Sequence, residues 1–288
     1  MEILCVGGTG MVGSEVVARL KDRNASVRCM TRSSEKAGKI RDGVHFVAGD
    51  LEDPSNLGAA FEGVDRVHLL TPLHPHEAVL GRNAVRAAEE AGVARIVLHS
   101  VHRADEAPHI PHFRSKIEIL DAIRDSGIPW AAIEPNSYFQ NDYRYRDPIL
   151  GIGIYPQPLG SIGTSLVDVR DISDATVSAL LDDGHEGTRY AIVGPEALTG
   201  AEVAATWTRH VGREVRYAGD DLEAWERANR PHIPEWLLPD LKRMYAHFIE
   251  HGLHATDEEL ERQLRVLGHE PRDYDSFVRE TVAAWTGG

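Results

Sequence analysis

The chain has 288 residues and a hydrophobic fraction of 42%, enough for one large α/β domain or a core domain with a smaller lobe. Its formal charge of −14 argues against a nucleic-acid or anionic-membrane partner, because both need a basic footprint, and leaves room only for a local basic pocket. No apolar run reaches membrane-spanning length and the sequence opens directly on a strand pattern, so a cytoplasmic protein with neither anchor nor signal peptide is expected.

Residues 3–6 are a short apolar, partly β-branched run that reads as a buried strand, with Cys5 inside it. Gly7, Gly10 and Gly13 follow at G-x-x-G-x-x-G spacing, and Val16, Val17 and Leu20 continue at helical period. Strand, glycine turn and helix in that order let a diphosphate approach free backbone N–H groups at the positive end of a helix dipole. A second strand over 26–30 contains Cys29 and ends in Thr31-Arg32-Ser33-Ser34; both cysteines read as buried reduced thiols. Enzymes preferring NAD carry an acid about 20 residues past the glycines. Here the residue is Arg32, between Thr31 and Ser33, a set that suits a 2′-phosphate. NADP(H) is therefore the expected cofactor, with NAD(H) as second choice.

Further strands are expected over 44–48, 65–70, 94–99 and 129–133. Asp53-Pro54 caps a short helix to Phe61. A long helix over 75–91 places Val79, Leu80, Ala84, Val85, Ala87 and Ala88 on or near one face and ends at Gly92. The helix over 113–126 buries Ile117, Leu120 and Ile123. Strand and helix thus alternate six times with no hairpin signal, which predicts a doubly wound α/β fold with parallel strands and helices on both faces. The loops at 7–13, 31–34, 49–51, 71–76, 99–112 and 134–143 are expected to converge at the carboxyl ends of the strands.

Beyond residue 135 the rhythm changes. Residues 136–165 are rich in Gly, Pro and Tyr and read as an inserted loop region. A helix over 171–181 with Asp171 as N-cap and a strand over 188–193 rejoin the core. From Thr199 onward the chain is mostly helical, with a capping box at Thr256–Glu259 and packing aromatics Trp207, Trp225, Trp236, Tyr245, Phe248 and Trp285. The expected division is a core over 1–135 rejoined by about 166–195, and a lobe made of 136–165 and 196–288.

The motifs Gly-Gly-Thr-Gly-Met-Val-Gly at 7–13, Thr-Arg-Ser at 31–33 and Gly-Asp-Leu at 49–51 resemble the NmrA-like group of atypical, extended short-chain dehydrogenases/reductases. So do His-Phe-Arg-Ser-Lys at 112–116, Glu-Pro-Asn-Ser-Tyr-Phe at 134–139 and Val-Asp-Val-Arg-Asp at 167–171. The resemblance implies a Rossmann-type core, a smaller, mostly helical C-terminal substrate lobe, and NADP(H) or NAD(H) in the crevice. It carries cofactor contacts to Gly7, Thr9, Gly10, Met11, Val12, Gly13, Arg32, Ser33, Asp50, Leu51, Thr71, Pro72, Lys116 and Asn136. Lys116 holds the nicotinamide ribose in that pattern.

The superfamily's Y-x-x-x-K signature is altered, with His112 in the tyrosine's place and Lys116 intact. Ser100 stands nearest the place of the catalytic serine. His112, one helical turn before Lys116, is an acid or base at physiological pH and becomes the candidate proton donor. His76, His102, Tyr138, Phe139 and Tyr143 are expected as substrate-pocket walls, and Glu77 and Glu134 as partners of the crevice imidazoles or the nicotinamide amide. The histidines have no metal-ligand spacing, so no metal is expected. Two functions follow from the resemblance. The first is an NADPH-dependent ketoreductase or quinone reductase acting on a small carbonyl or quinone compound, such as a polycyclic natural-product intermediate. The second is a cofactor-sensing regulator that binds a partner protein. Oligomeric state stays open.

Overall fold

The computed structural model describes residues 1–33 and 35–287; Ser34 and Gly288, which end the expected cofactor loop and the expected lobe, lie outside the described residues. From the N-terminus run β1 (Glu2–Val6), α1 (Met11–Asp22), β2 (Ser26–Thr31), β3 (Ile40–Arg41), β4 (Val44–Ala48), α2 (Gly58–Phe61) and β5 (Arg66–Leu69). Then come α3 (Glu77–Glu90), β6 (Arg95–His99), α4 (Pro111–Ser126), β7 (Trp130–Pro135), β8 (Ile154–Tyr155), α5 (Val169–Leu181) and β9 (Thr188–Ile192). The rest comprises α6 (Gly200–Val211), β10 (Arg216–Tyr217), α7 (Leu222–Asn229), α8 (Leu238–His251), α9 (Asp257–Leu267) and α10 (Tyr274–Thr286). The chain divides into two compact units, one of Met1–Pro135, Val169–Ile192 and Arg265–Leu267, the other of Asn136–Asp168, Val193–Leu264 and Gly268–Gly288.

The first unit holds an eight-stranded sheet in the order β3-β4-β2-β1-β5-β6-β7-β9, parallel except for β3 against β4. From β1 the chain winds outward through β2 to β4, then crosses back to β5 and proceeds the other way. This is the doubly wound Rossmann-type fold expected, with its switch point beside β1. The β3–β4 hairpin corrects the reading of a sheet without hairpins. Its turn is Asp42-Gly43, with φ of 49° and 79°, the left-handed pair that a two-residue hairpin requires. Asp-Gly is a hairpin signal; it was obscured because only two strand residues precede it.

On one face α3 and α4 pack on each other and cover Leu4, Val67, Ile96 and Leu98 with Leu80, Ala84, Ala88, Ile119, Leu120 and Ile123. Each fully buried aliphatic of this kind contributes about 1.5–3 kcal/mol. Val79 is 44% exposed and Ile117 half-buried, so the apolar stripes of these helices are narrower than their sequences indicate. On the opposite face α1 packs against α5. Asp171 does not cap α5, which begins two residues earlier at Val169; it lies buried in the first turn, where the helix dipole favours its charge. Cys5 and Cys29 are free, buried, and opposite each other on β1 and β2.

The second unit is built around aromatic residues. Phe139, Tyr145, Tyr155, Trp207, Tyr274 and Phe277 share its core, and Trp285 stacks on Trp207 at 5.1 Å and 8°. Capping boxes open α6 at Thr199–Glu202 and α9 at Thr256–Glu259. Trp236 is 42% exposed and takes no part in the core. Among the described residues no helix is long and apolar enough to cross a membrane.

Candidate functional site

β1 stops at Val6 and α1 starts at Met11, so a four-residue turn joins them. Gly7 has φ of 79°, and a Cβ there would lie 2.5 Å from the Leu70 carbonyl oxygen. Gly13, within the first turn of α1, would place a Cβ 2.1 Å from the Gly7 carbonyl oxygen. Both are glycines because the turn and the helix could not otherwise meet. Gly10 differs: it caps α1 with φ −83° and ψ 178°, and a Cβ would meet nothing of the protein nearer than the Gly7 oxygen at 3.5 Å. The fold accepts a side chain at Gly10. What a side chain would occupy is the space in front of it.

That space is a cavity of about 590 Å³ at the carboxyl ends of β1, β2, β4 and β5. Gly7, Thr9 and Gly10 line it from the turn, Arg32 and Ser33 from the end of β2, Asp50 and Leu51 from the end of β4, and Thr71 and Pro72 from the end of β5. Arg32 is solvent-exposed at this wall, where its charge is unhindered for an anionic ligand. Met11, Val12 and Gly13 do not line the cavity; Met11 is 44% exposed and Val12 is buried. Glu52 and His74 line it as well and meet at 3.0 Å between carboxylate and Nε2, a feature the sequence did not disclose.

Thr71 leads from the cavity into the interior. Its Oγ1 accepts from Lys116 Nζ at 2.8 Å and donates to Glu77 Oε1 at 2.6 Å, and Lys116 Nζ lies 2.7 Å from the same carboxylate oxygen. All three side chains are buried, Glu77 at 1% exposure. Glu77 Oε2 is buried with no hydrogen-bond partner. Glu77 therefore pairs with lysine and not with a crevice imidazole, one of the two partners expected for it. Glu134 likewise accepts from Arg189 Nε at 2.6 Å, and Arg189 also pairs with Asp105. The acid at the first position of α3 was the available signal for Glu77, since α3 carries no other acid in its first turn.

Behind this cluster two histidines are held neutral. Burial pushes His68 down to about 4, and neither of its ring nitrogens has a partner. His99 is lowered well below the usual range by burial, then by the charge of Lys116 and by His68. His112 stands one turn before Lys116 on α4, half-buried with its ring edge-on to Phe113 at 4.8 Å. Ser100 is buried just past β6, with its N–H donating to the Ile133 carbonyl. His102 is buried and accepts from Arg103 Nε at 3.3 Å, while His76 is exposed at the start of α3. None of these four lines the cavity.

Four expected site residues belong to the second unit. Asn136 donates to the Leu253 carbonyl at 3.0 Å and accepts from Ser137 N–H at 2.7 Å, so its amide is engaged within that unit. Phe139 is 1% exposed against Tyr274 and Phe277, a core residue rather than a pocket wall. Tyr143 is 50% exposed and packs on Phe277 and Trp285; Tyr138 is half-buried and pairs with Val167 by a β-bridge. Sequence reasoning missed Asp142, a buried carboxylate that accepts from Tyr155 OH at 3.0 Å, from Trp207 Nε1 at 3.3 Å and from Tyr274 OH. No local motif marks it, because its partners are 13, 65 and 132 residues away.

A model of the NmrA-like family matches residues 1–278. The chain is 35% identical over 286 residues to the NAD(P)H azoreductase of Xenophilus azovorans, covering 98% of this chain and 99% of the relative. It is 36% identical over 236 residues to the (4-alkanoyl-5-oxo-2,5-dihydrofuran-3-yl)methyl phosphate reductase of Streptomyces griseus, covering 81% of this chain and 82% of that one. In fold it is similar to the NADPH-dependent quinone oxidoreductase of Escherichia coli complexed with NADPH, with a TM-score of 0.86 and 24% identity over 97% of this chain and 99% of that chain. The chain belongs to the NmrA-like family.

Proposed function

We propose that this member of the NmrA-like family is an NADP(H)-dependent reductase whose acceptor is a small ketone, quinone or azo compound. The observation that carries the reading is the cavity, lined at once by the glycine turn, Arg32 and Thr71, with Lys116 directly behind Thr71. Gly10 fits a bound diphosphate because a Cβ there would fill space the protein itself leaves open. The relatives at 35% and 36% identity are reductases by name, and one of them is named for NAD(P)H.

When bound, the cofactor supplies a hydride. Gly7, Thr9 and Gly10 receive its diphosphate, Arg32 and Ser33 its 2′-phosphate, and Asp50 and Leu51 its adenine end. Thr71 and Pro72 border the ribose side, and Lys116 reaches the nicotinamide ribose. Reduction of an acceptor oxygen or nitrogen also consumes a proton, and His112, in the tyrosine's place one turn from Lys116, is assigned to deliver it. The second unit is assigned as the substrate-binding lobe.

The test follows NADPH oxidation with a panel of quinones, polycyclic ketones and azo dyes, for the natural chain and for Lys116→Ala. Acceleration by at least one class, lost in the variant, supports the reading. Tight NADPH binding with no acceleration by any acceptor overturns it and favours a cofactor-sensing regulator, for which the replacement of tyrosine by His112 already speaks. Arg32→Asp is expected to weaken NADPH far more than NADH; equal effects on the two refute the 2′-phosphate role.

A further inference from the structure

The closed contact of Lys116, Thr71 and Glu77 asks more of Glu77 than packing. A buried ammonium keeps its charge only beside an anion or with its hydrogens satisfied, and Lys116 is 5% exposed. Its three hydrogens meet two acceptors, Glu77 Oε1 at 2.7 Å and Thr71 Oγ1 at 2.8 Å. The start of α3 favours an anion at Glu77, which fixes the carboxylate on a rigid element.

We infer that Glu77 is a positioning residue for the cofactor. It holds Lys116 Nζ against Thr71, the one of the three that lines the cavity, leaving the third ammonium hydrogen for a hydroxyl of the nicotinamide ribose. Without the carboxylate, the ammonium has only the Thr71 oxygen to fix it, and its position relaxes. This inference rests on the cofactor reading above.

The experiment measures equilibrium binding of two probes, NADPH and adenosine 2′,5′-bisphosphate, which lacks the nicotinamide half. Both are titrated against the natural chain, Glu77→Gln, Lys116→Met and the double variant. Each single variant is expected to weaken NADPH by about ten- to a hundredfold while leaving the bisphosphate unchanged. The double variant is expected to bind NADPH no worse than Lys116→Met, because Glu77 acts through the lysine. Unchanged NADPH affinity in Glu77→Gln overturns the inference, as do losses that multiply in the double variant. Equal weakening of both probes also overturns it, since a merely structural defect spares neither. Should Glu77→Gln fail to fold, the double variant, which lacks both buried charges, is compared with Lys116→Met alone: equal NADPH affinity supports the inference and further loss overturns it. If the natural chain binds neither probe, the cofactor reading itself falls, a result distinct from all of these.

Discussion

Each unit of the molecule buries a carboxylate, and the two are satisfied in opposite ways. Glu77 in the first unit faces an ammonium and a hydroxyl and still has one oxygen without a partner. Asp142 in the second unit faces two phenols and an indole, neutral donors that meet both its oxygens. The difference separates a group whose needs are met inside the fold from one whose needs are not. Asp142 organises an aromatic core; Glu77 is tied to one ammonium and one hydroxyl beside the cavity-lining Thr71.

The largest effect expected from this contrast is on stability. At about pH 5, where Asp142 is mostly neutral, Asp142→Ala takes the acceptor from Tyr274 OH and opens a buried cavity, while Trp207 Nε1 keeps Tyr274 OH at 2.8 Å and Tyr155 OH keeps Gln157 Oε1 at 3.4 Å. The variant is expected to lower the unfolding free energy by about 3–5 kcal/mol. Replacing the Glu77–Lys116 pair by Leu and Met together removes both charges at once and is expected to change stability by about 1 kcal/mol or less. Urea unfolding of both variants checks the contrast. A large loss in the paired replacement with none in Asp142→Ala would reverse the assignment of roles.

The next effect is a pH dependence. Burial raises Asp142 to about 6 against an ordinary value of 3.8; hydrogen bonds from Tyr274, Tyr155 and Trp207 pull it back, as does the charge of Arg144. The folded chain thus binds this proton more readily than the unfolded chain. The resulting stability is fully present below the unfolded value of 3.8 and is lost as pH rises through about 6. Between those limits the natural chain is expected to lose about 3 kcal/mol more than Asp142→Asn, measured by unfolding across pH. Parallel profiles would mean that the carboxyl is not desolvated as its burial indicates.

The sequence made local features legible and left distant ones dark. The glycine turn, the strands and the capping box at Thr256 are written in contiguous residues, and each stands where its pattern puts it. Arg32 was placed by its position after a strand and Thr71 by the family resemblance, and both line the cavity. Lys116 was legible as a motif residue, but its partner was not: Glu77 lies 39 positions away on another helix, and pairing it required knowing that α3 and α4 run side by side. Phe139 was misread for a related reason. An aromatic on a loop after a strand has the same sequence context whether it lines a pocket or enters a core, and only Tyr274 and Phe277, far along the chain, decide it.

The smallest effect on stability is the sharpest test of the same distinction, now between two glycines of one turn. Gly13 serves the fold: a Cβ would sit 2.1 Å from the Gly7 carbonyl oxygen, inside any tolerable contact, so Gly13→Ala must displace either the turn or α1. Gly10 has ordinary backbone angles and open space in front of it, so Gly10→Ala is expected to change the unfolding free energy by no more than about 0.5 kcal/mol. Its cost falls on the ligand. A methyl group at Gly10 stands where a diphosphate must approach the first N–H groups of α1, and NADPH affinity is expected to drop by about tenfold or more, read by fluorescence titration. If Gly10→Ala binds NADPH as the natural chain does, the diphosphate does not lie over this turn. If it unfolds the protein, Gly10 answers to the fold after all, as Gly13 does.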